Sequence, residues 1–364
     1  MSNLAANNRS HGVRRRRSTA IACVLMLLVQ LVRPINAQSP DDLLPKYMNA
    51  KALRSIEKGL KYLSESQSDN GSWESHPDGA TYPCAMTALA GMAFLANGNT
   101  TTRGPYADNV RRAVGFTMAQ AGDSGLIADP RESGHSMYGH GFSLMFLSCV
   151  YGMETKAKAR EEIGEVIKNA IKLTAQSQSR LGGWIYTPTS GGDEGSVTVT
   201  QMQGLRAAHN AGFKVPKSTI KSAIKYLEMC QTSEGGICYS YASRGGTRLP
   251  ISAAAICCLY SAGEYESPLA AKCLTYVTAQ FDKNGQAGRY SGHDFYCNLY
   301  ASQAFYQAGD KQWEMYFPST RDAYVKNQQK DGSWMGDGLG PTYGTAIALV
   351  ILQLPYKYLP IYQR

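Results

Sequence analysis

The sequence predicts an all-α protein in which six helix pairs stack side by side and close into a ring. A glycine-centred turn recurs six times, about every 50 residues, near the upper end of repeat periods for stacked helical units. The segment before each turn mixes charged and apolar residues, and the segment after it carries almost no charge. One helix pair cannot bury its own apolar face, whereas six pairs that close a ring can.

The turns share a glycine and, in three copies, a tryptophan two residues later. Glycine suits the positive φ of a helix end or tight turn. We expect the glutamine of each turn to hydrogen-bond a helix of the neighbouring unit and the tryptophan to pack across the joint. The copies are Gln67–Trp73, Gln120–Ile127, Gln176–Trp184, Gln231–Cys238, Gln280–Tyr290 and Gln328–Trp334.

The segments before the turns predict amphipathic outer helices, because their apolar residues recur every three to four positions. They are Ala52–Ser66, Asn109–Ala119, Glu161–Ala175, Thr219–Met229, Leu269–Ala279 and Ser319–Asn327. The segments after the turns predict inner helices that are buried on all sides. They are Cys84–Ala96, Tyr138–Tyr151, Val197–Ala211, Ser252–Ala262, Asn298–Ala308 and Tyr343–Leu354.

The pattern Gln-x₃-Gly-x-Trp, joining helix pairs in a six-fold array, resembles the QW motifs of the prenyltransferase and squalene-cyclase repeat superfamily. The match is good at Trp73, Trp184 and Trp334 and degenerate in the other three turns. The resemblance covers about residues 51–364. It implies an α/α toroid with an inner and an outer ring of six helices each. Triterpene cyclases and protein prenyltransferase β-subunits belong to this superfamily.

Residues 1–37 have the features of an export signal. Arg14–Arg17 form a positive region, Ala20–Val32 is an apolar run, and Ala37 offers a small residue for cleavage. We therefore expect a signal peptide over 1–37, a linker over 38–50 and the repeat domain over 51–364. The protein is then exported to the periplasm or the cell exterior. A retained N-terminal membrane anchor is the alternative.

The formal charge of +9 comes largely from the N-terminal segment. Six of the 37 basic residues lie in 1–37, which has no acid, so the remainder has 31 basic against 28 acidic groups. A nearly balanced surface gives no reason to expect nucleic acid as a partner. Among the cysteines, Cys257 and Cys258 lie in an apolar helix and are expected to be buried. Cys230 and Cys238, which flank the fourth turn, form the best candidate disulfide.

In such a ring the inner helices point the same way, so their N-termini and preceding loops gather at one mouth. Helix N-termini there supply positive potential and N–H groups, and long loops often carry function. The predicted catalytic residues are Asp193, Glu194, His135, His140 and Asp294. The predicted ligand-binding residues are Tyr138, Tyr296, Tyr343, Arg248, Phe142 and Phe305. Helix capping is the structural alternative for the polar members of both sets.

The chemistry of the superfamily has only partial counterparts in this chain. A cyclase protonates an alkene with an Asp-rich motif, D-x-D-D-T-A; Gly192–Thr198 is the nearest match, with Ser196 and Val197 at the motif's position. Prenyltransferases bind zinc through Asp, Cys and His; Asp294–Tyr296 resembles part of that site, but Cys297 stands at the His position. We expect no cofactor. A metal held by His293, Asp294 and Cys297 is the alternative.

These observations leave three functions open. The first is an exported toroid that binds an apolar, isoprenoid-like ligand or a partner in its central cavity, with or without catalysis. The second is a carbohydrate-active hydrolase or lyase that uses carboxylates and histidines at the mouth. The third is a terpenoid cyclase or prenyltransferase with divergent motifs. A membrane contact is expected only through an uncleaved signal.

Overall fold

The computed structural model describes residues 44–75, 81–283 and 293–363. The export signal predicted over 1–37 and most of the linker lie outside these residues. No helix in the described part of the chain combines the length and the apolar character needed to cross a membrane. The chain from Pro45 onward forms one compact unit.

Twelve α-helices, alternately outer and inner, occupy the described residues, which contain no strand longer than an isolated bridge. The outer helices are α1 (Ala50–Glu65), α3 (Ala107–Ala119), α5 (Ala157–Gln176), α7 (Lys217–Met229), α9 (Pro268–Lys283) and α11 (Asp310–Asn327). The inner helices are α2 (Pro83–Ala96), α4 (Ser136–Met153), α6 (Gly195–Asn210), α8 (Leu249–Ser261), α10 (Asp294–Ala308) and α12 (Pro341–Gln353).

The alternation of amphipathic and charge-free segments is confirmed as outer and inner helices. Every residue of α2 and of α8 is buried, whereas α1 buries one stripe that includes Ile56, Leu60 and Leu63. The largest error in the predicted helix boundaries is at the start of α11. Helix α11 begins at Asp310 rather than Ser319, because Pro318 lies inside it and Trp313, Tyr316 and Phe317 already bury themselves upstream.

The ring closes between the last repeat and the first. Helix α12 packs against both α1 and α2. Across this joint the Gln328 side chain donates to the Ser55 carbonyl at 2.9 Å, and Gln353 donates to the Ala93 carbonyl at 3.0 Å. The same types of contact that join consecutive repeats therefore join residues more than 250 positions apart.

The C-terminal tail crosses the ring at the end opposite the mouth. Its last turn, Pro360–Tyr362, packs on α6 of the third repeat, and the Tyr358 ring lies over Gly98 at the end of α2. The tail therefore contacts both the first and the third repeat. Tyr362 is buried near Cys149 and Tyr300, where burial raises the pKa of its hydroxyl. The tail forms the floor of the ring.

We call the Gln-x₃-Gly-x-Trp segments and their variants the rim turns. Their glutamines carry out the predicted role. In four rim turns the amide donates to the carbonyl of the turn's own glycine at 2.7–3.0 Å. In three of these it also donates to a carbonyl of the next outer helix: Gln67 to Asn109, Gln178 to Thr219 and Gln328 to Ser55.

The rim-turn glycines are required by both conformation and space. Gly182 has φ +101°, and a Cβ there would lie 2.1 Å from the carbonyl oxygen of Ser222 in the next outer helix. Gly71, Gly125 and Gly332 also have positive φ and meet a neighbouring carbonyl within 2.5 Å of the added atom. Only glycine combines this backbone conformation with so close an approach.

The five rim turns within the described residues also bond to the inner helix that follows them. In five repeats the N–H of the Trp or Ile donates to a side chain near the helix start, at 2.8–3.2 Å. The acceptors are Thr87, His140, Thr198, Ser252 and Thr345. The indole N–H groups of the three tryptophans donate to carbonyls of their own outer helices. The rim turns are thus a repeated structural unit.

The cysteines of the described residues are all free and buried. Burial of Cys257 and Cys258 is confirmed. The candidate disulfide is not formed, although Cys230 and Cys238 lie opposite each other and the Cys238 N–H donates to the Cys230 carbonyl at 3.0 Å. Burial raises the pKa of Cys230 to about 12, so this thiol stays protonated at neutral pH.

Candidate functional site at the mouth of the ring

The N-termini of the inner helices meet at the mouth, but the loop of the next repeat occupies several of their N–H groups. Met137 of α4 donates to the Tyr186 carbonyl at 2.9 Å, and Gly195 of α6 donates to the Tyr239 carbonyl at 2.8 Å. The expectation of freely available helix N–H groups is corrected for these helices. Each loop instead fixes the entry of the preceding inner helix.

Carboxylates perform the same capping at two other helices. The Asp337 carboxylate accepts from Phe295 N at 3.0 Å and Tyr296 N at 2.9 Å, at the start of α10. Glu132 accepts from Cys84 N at the start of α2. Asp337 adopts φ +45°, a strained conformation for a residue with a side chain. The loops therefore place acids at the mouth, but in capping positions.

Glu132 differs from an ordinary cap because half of its carboxyl group is unused. It lies in a short 3₁₀ turn, Pro130–His135, and is 1% exposed. Its Oε1 takes the Cys84 N–H, whereas Oε2 has no hydrogen-bond partner among the described residues. A side chain at Gly139 would collide with Oε2. Burial raises the pKa of Glu132 to about 7.

Glu194 is the N-cap of α6 and the end of a hydrogen-bonded chain. Its carboxylate accepts from Ser196 N at 2.7 Å and Val197 N at 2.5 Å, and the Ser196 hydroxyl also donates to it. The Ser196 hydroxyl in turn lies 2.5 Å from the Tyr138 hydroxyl. Burial raises the pKa of Glu194 despite these hydrogen bonds. The predicted residues Glu194 and Tyr138 are thus brought together through Ser196.

Asp193 is not part of that chain. Its Oδ2 accepts from the Ser179 hydroxyl at 3.1 Å, and its Cβ lies beside Gly183 of the rim turn. The carboxylate faces Tyr226 of the outer helix α7, where its charge adds to burial in raising the pKa of that phenol. Adjacent in sequence, Asp193 and Glu194 therefore point to different parts of the fold, and their carboxylates do not form a pair.

A row of aromatic rings runs along the mouth over the loops of four repeats. Tyr82 meets His135 edge-on at 6.2 Å, and His135 lies 4.7 Å from Tyr186. Tyr186 is 6.0 Å from Tyr138, and its hydroxyl contacts that of Tyr239. His135 is exposed, and the four tyrosines are half-buried. We call these five residues the aromatic row.

Arg248 stands at the end of the aromatic row. It is the exposed N-cap residue of α8, and its backbone N–H donates to the Ile237 carbonyl at 2.8 Å. Its positive charge opposes the rise that burial causes in the pKa of the Tyr239 hydroxyl, and the bridge between Cys238 and Thr247 sets its backbone beside the segment that carries Tyr239. The predicted ligand residue Arg248 therefore joins the mouth beside Tyr239.

Polar contacts cross the centre of the ring beneath the row. Gln203 of α6 donates to Gln303 of α10 at 2.7 Å, although α8 separates these helices in the ring order. Higher up, the Tyr296 hydroxyl reaches the Ser196 carbonyl at 3.5 Å. The Tyr296 ring also lies 4.9 Å from that of Tyr300. The ring centre is therefore spanned by amides and phenols.

The remaining predicted polar residues lie on the far side of the mouth. Asp294 is the first residue of α10, and its carbonyl accepts from Asn298. Tyr343 of α12 is buried, and burial, strengthened by the charge of Asp337, raises the pKa of its hydroxyl. Tyr296 is capped through its backbone by Asp337. The structure brings Tyr296 and Tyr343 towards the central tyrosines, and Tyr296 also reaches Ser196 beneath Tyr138 of the aromatic row.

Three predicted site residues are buried structural residues. His140 is fully buried; its Nδ1 accepts from Ile127 N and its Nε2 contacts the Thr174 hydroxyl, which makes it a rim-turn acceptor rather than a base. Phe305 packs against Phe281 of α9 and Tyr316 of α11, away from the ring centre. Phe142 is 6% exposed in α4. The contacts of His140 and Phe305 are structural, and the assignment of the three residues to catalysis or ligand binding stays a prediction.

The candidate metal ligands are not assembled. In the described ranges no group of three or more His, Cys, Asp and Glu side chains is placed to hold a metal ion. Cys297 is buried and burial raises the pKa of its thiol, whereas His293 is exposed.

Glu132, Tyr186 and Tyr239 are the residues that sequence reasoning missed. Glu132 stands in Pro-Arg-Glu-Ser, a stretch that gives no signal of burial. Each tyrosine lies two residues after the rim-turn residue whose N–H bonds to the inner helix, at Trp184-Ile-Tyr186 and Ile237-Cys-Tyr239. That shared offset was the only available signal, and it places both at the mouth.

No protein-family model matches the chain, and no curated protein matches it in sequence. Solved structures do match. A variant of the type II terpene cyclase MstE from Scytonema, in complex with its product merosterolic acid A, matches with a TM-score of 0.58 at 13% identity, over 85% of this chain and 98% of its own. An inactive variant of an α-1,6-mannanase from Salegentibacter, in complex with α-1,6-mannotetrose, matches with a TM-score of 0.63 at 10% identity, over 85% and 99%.

This chain is an α/α toroid. Both neighbours have that fold, and the all-helical ring described above agrees with it. At such low identity the likeness concerns the fold alone, because one fold supports many unrelated sites. One neighbour acts on an isoprenoid substrate and the other binds a glycan, so both ligand classes considered for this chain are compatible with the toroid.

Proposed function

We propose that this toroid binds an oligosaccharide along the aromatic row at its mouth. The observation that carries the proposal is the row itself: five rings from four repeats, half-buried or exposed, in one continuous series of contacts. Tyrosine combines an apolar face with a polar hydroxyl. Such a surface suits a sugar, which also presents an apolar face and polar edges.

The ring centre favours a ligand at the mouth over one deep inside. The Gln203–Gln303 bond crosses the space between α6 and α10, and Tyr362 of the tail closes the floor. Buried amides and phenols are costly to strip of their hydrogen bonds. An apolar ligand in the centre would have to displace these contacts, whereas a ligand on the row displaces water.

The first experiment is calorimetric titration of the protein with neutral oligosaccharides, beginning with the α-1,6-mannotetrose bound by the mannanase neighbour. A panel of four-sugar mannans, glucans and xylans extends the search. We expect Tyr186→Ala to weaken binding about tenfold or more, equivalent to at least ~1.4 kcal/mol. The matched control is Tyr358→Ala, because Tyr358 is an exposed tyrosine at the opposite end of the ring. No binding of any neutral or acidic oligosaccharide contradicts the proposal.

A second candidate function follows from Glu132. A type II terpene cyclase acts on an isoprenoid, and a buried carboxyl with a pKa of about 7 and one unused oxygen is suited to donate a proton at neutral pH. In this alternative the toroid binds an isoprenoid or lipid between its nearly charge-free inner helices. Native mass spectrometry of the purified protein tests it: a co-purifying lipid that is retained by wild type supports it, and a ligand-free protein argues against it.

We also propose that the protein is exported, on the basis of the positive and apolar segments within residues 1–37. Mass spectrometry of the mature N-terminus tests this directly. A chain that begins at Gln38 in a periplasmic or extracellular fraction supports cleavage and export. A membrane-bound chain that keeps Ala20–Val32 supports the anchor instead. A full-length chain free in the cytoplasm contradicts both.

A further inference from the structure

We infer that the oligosaccharide bound at the mouth carries an anionic group, a carboxylate or sulfate, and that Arg248 pairs with it. This inference rests on the proposed function and narrows the ligand class from glycans in general to acidic glycans. It depends on the position of Arg248 at the end of the aromatic row, where the bridge between Cys238 and Thr247 sets its backbone beside Tyr239, whose hydroxyl contacts that of Tyr186.

The guanidinium of Arg248 has no ion-pair partner among the described residues. The side chain is nevertheless held close to the site. Its backbone is fixed by the bond to Ile237, and the bridge between Cys238 and Thr247 closes the loop that precedes it. An exposed arginine with a fixed backbone next to a stacking surface is placed to meet a charged substituent of a stacked sugar.

The other charged side chains described near the row are already paired, stacked or buried. At the opposite end, Arg131 is neutralised by Asp129 and Glu74. In the same loop as Arg248, Arg244 lies over the Tyr241 ring at 4.5 Å and is already engaged. The negative charge of Glu194 also acts on Tyr239, but its carboxylate is buried and accepts N–H groups of α6. Arg248 is therefore the cation of the row that is available to a ligand.

Arginine is suited to this role because its planar donors match a carboxylate or sulfate in a bidentate arrangement. The tyrosine hydroxyls beside it can donate to the same group or to a neighbouring sugar hydroxyl. A neutral sugar would use the aromatic row but leave the guanidinium in water. The arrangement thus predicts a preference for the acidic form of a glycan over a neutral form of the same shape.

The test compares a four-sugar mannuronate oligomer with its full methyl ester, by calorimetry at low ionic strength. The two probes have the same sugar skeleton and differ in charge. We expect wild type to bind the acid about tenfold more tightly than the ester, and the preference to shrink as salt rises. Arg248→Gln should abolish the preference while ester binding is retained. Arg244→Gln is the matched control, because it removes an equally exposed arginine of the same loop, and should keep the preference.

The outcomes separate the inference from the proposed function. If wild type binds both probes equally, or if Arg244→Gln abolishes the preference as fully as Arg248→Gln, the assignment to Arg248 is overturned while glycan binding stands. If neither probe binds and the neutral panel also fails, both ideas are overturned. Both arginines are exposed, so circular dichroism of the variants should match wild type, and a loss of binding then reflects lost charge.

Discussion

In repeat 3 the rim turn that ends at Trp184 has close counterparts in four other repeats, whereas the loop 185–194 that follows it is matched less widely: repeat 4 places Tyr239 as this loop places Tyr186. The rim turn uses the same glycine conformation, the same acceptor position and, in most copies, the same glutamine contacts. The loop contributes Tyr186 to the aromatic row and Glu194 to α6. The two segments are consecutive in the chain but serve different purposes.

The difference shows that each repeat contains one kind of segment that joins the units and another that lines the mouth. The rim turns join units that differ little in geometry, so the same hydrogen bonds satisfy each joint and the same residues recur. The loops cap the preceding helix and line one mouth, and together their side chains form a shared surface. Changes in the rim turns should therefore cost stability, and changes in the loops should cost binding.

The largest effect is expected for Gly182→Ala in a rim turn. The new Cβ would combine a positive φ with a contact of 2.1 Å to the Ser222 carbonyl. We expect the free energy of unfolding to fall by at least about 3 kcal/mol. Urea unfolding followed by circular dichroism measures it. The control is Gly191→Ala in the following loop, where an added Cβ meets nothing within 4 Å. Equal losses of stability in both variants would contradict the idea that the rim turns, rather than the loops, determine stability.

The next effect concerns two buried groups of repeat 2 with opposite pH dependence. The pKa of Glu132 is raised from 4.5 to about 7, so the folded state binds its proton more tightly than the unfolded state. Its contribution to the free energy of unfolding therefore falls by about 3 kcal/mol as pH rises through that window. The pKa of His140 is lowered from 6.5 to about 4, so its contribution rises between those values by a similar amount.

These opposing trends should make the stability of wild type less pH-dependent than that of a variant that lacks one of the two groups. Urea unfolding of wild type and Glu132→Gln at about pH 4.5 and about pH 7.5 isolates Glu132, because all other groups are common to both proteins. We expect the stability of the variant relative to wild type to increase with pH. A constant difference between the two proteins would show that Glu132 titrates as an ordinary exposed acid.

A smaller loss is expected for Thr87→Val, which removes the acceptor of the Trp73 N–H while preserving the shape of the side chain. The donor is buried, so the unpaired N–H should cost about 2 kcal/mol. Thr189→Val is the control, because Thr189 is an exposed threonine in a mouth loop. Thermal unfolding of both variants checks the prediction. A stable Thr87→Val protein would mean that this rim-turn bond is dispensable.

The smallest stability effect is expected for Tyr186→Ala. Its ring is half-buried and its carbonyl, which caps Met137, is unchanged by the substitution. We expect a loss of about 1 kcal/mol in the free energy of unfolding, because little area becomes exposed. Differential scanning calorimetry measures it. A loss as large as that of Gly182→Ala would make the aromatic row part of the scaffold and remove the contrast between rim turns and loops.

The ring and its helices follow from the pattern of the sequence. Glycine, glutamine and tryptophan recur where geometry repeats, and the contrast between striped and charge-free segments separates outer from inner helices. The start of α11 was not predicted. Proline usually breaks a helix, but here the burial of Trp313 and Phe317 keeps the helix continuous through Pro318. These features depend on local conformation and periodicity, which a sequence displays directly.

The roles of the residues at the mouth depend on tertiary contacts. The pattern placed His140 and Tyr138 two residues apart, yet one became a buried acceptor and the other part of the aromatic row. Likewise Asp193 and Glu194 diverged, and Glu132 became a buried acid without any sequence signal. Which way a side chain points, and which neighbour desolvates it, depends on contacts between repeats some 40 to 100 residues apart.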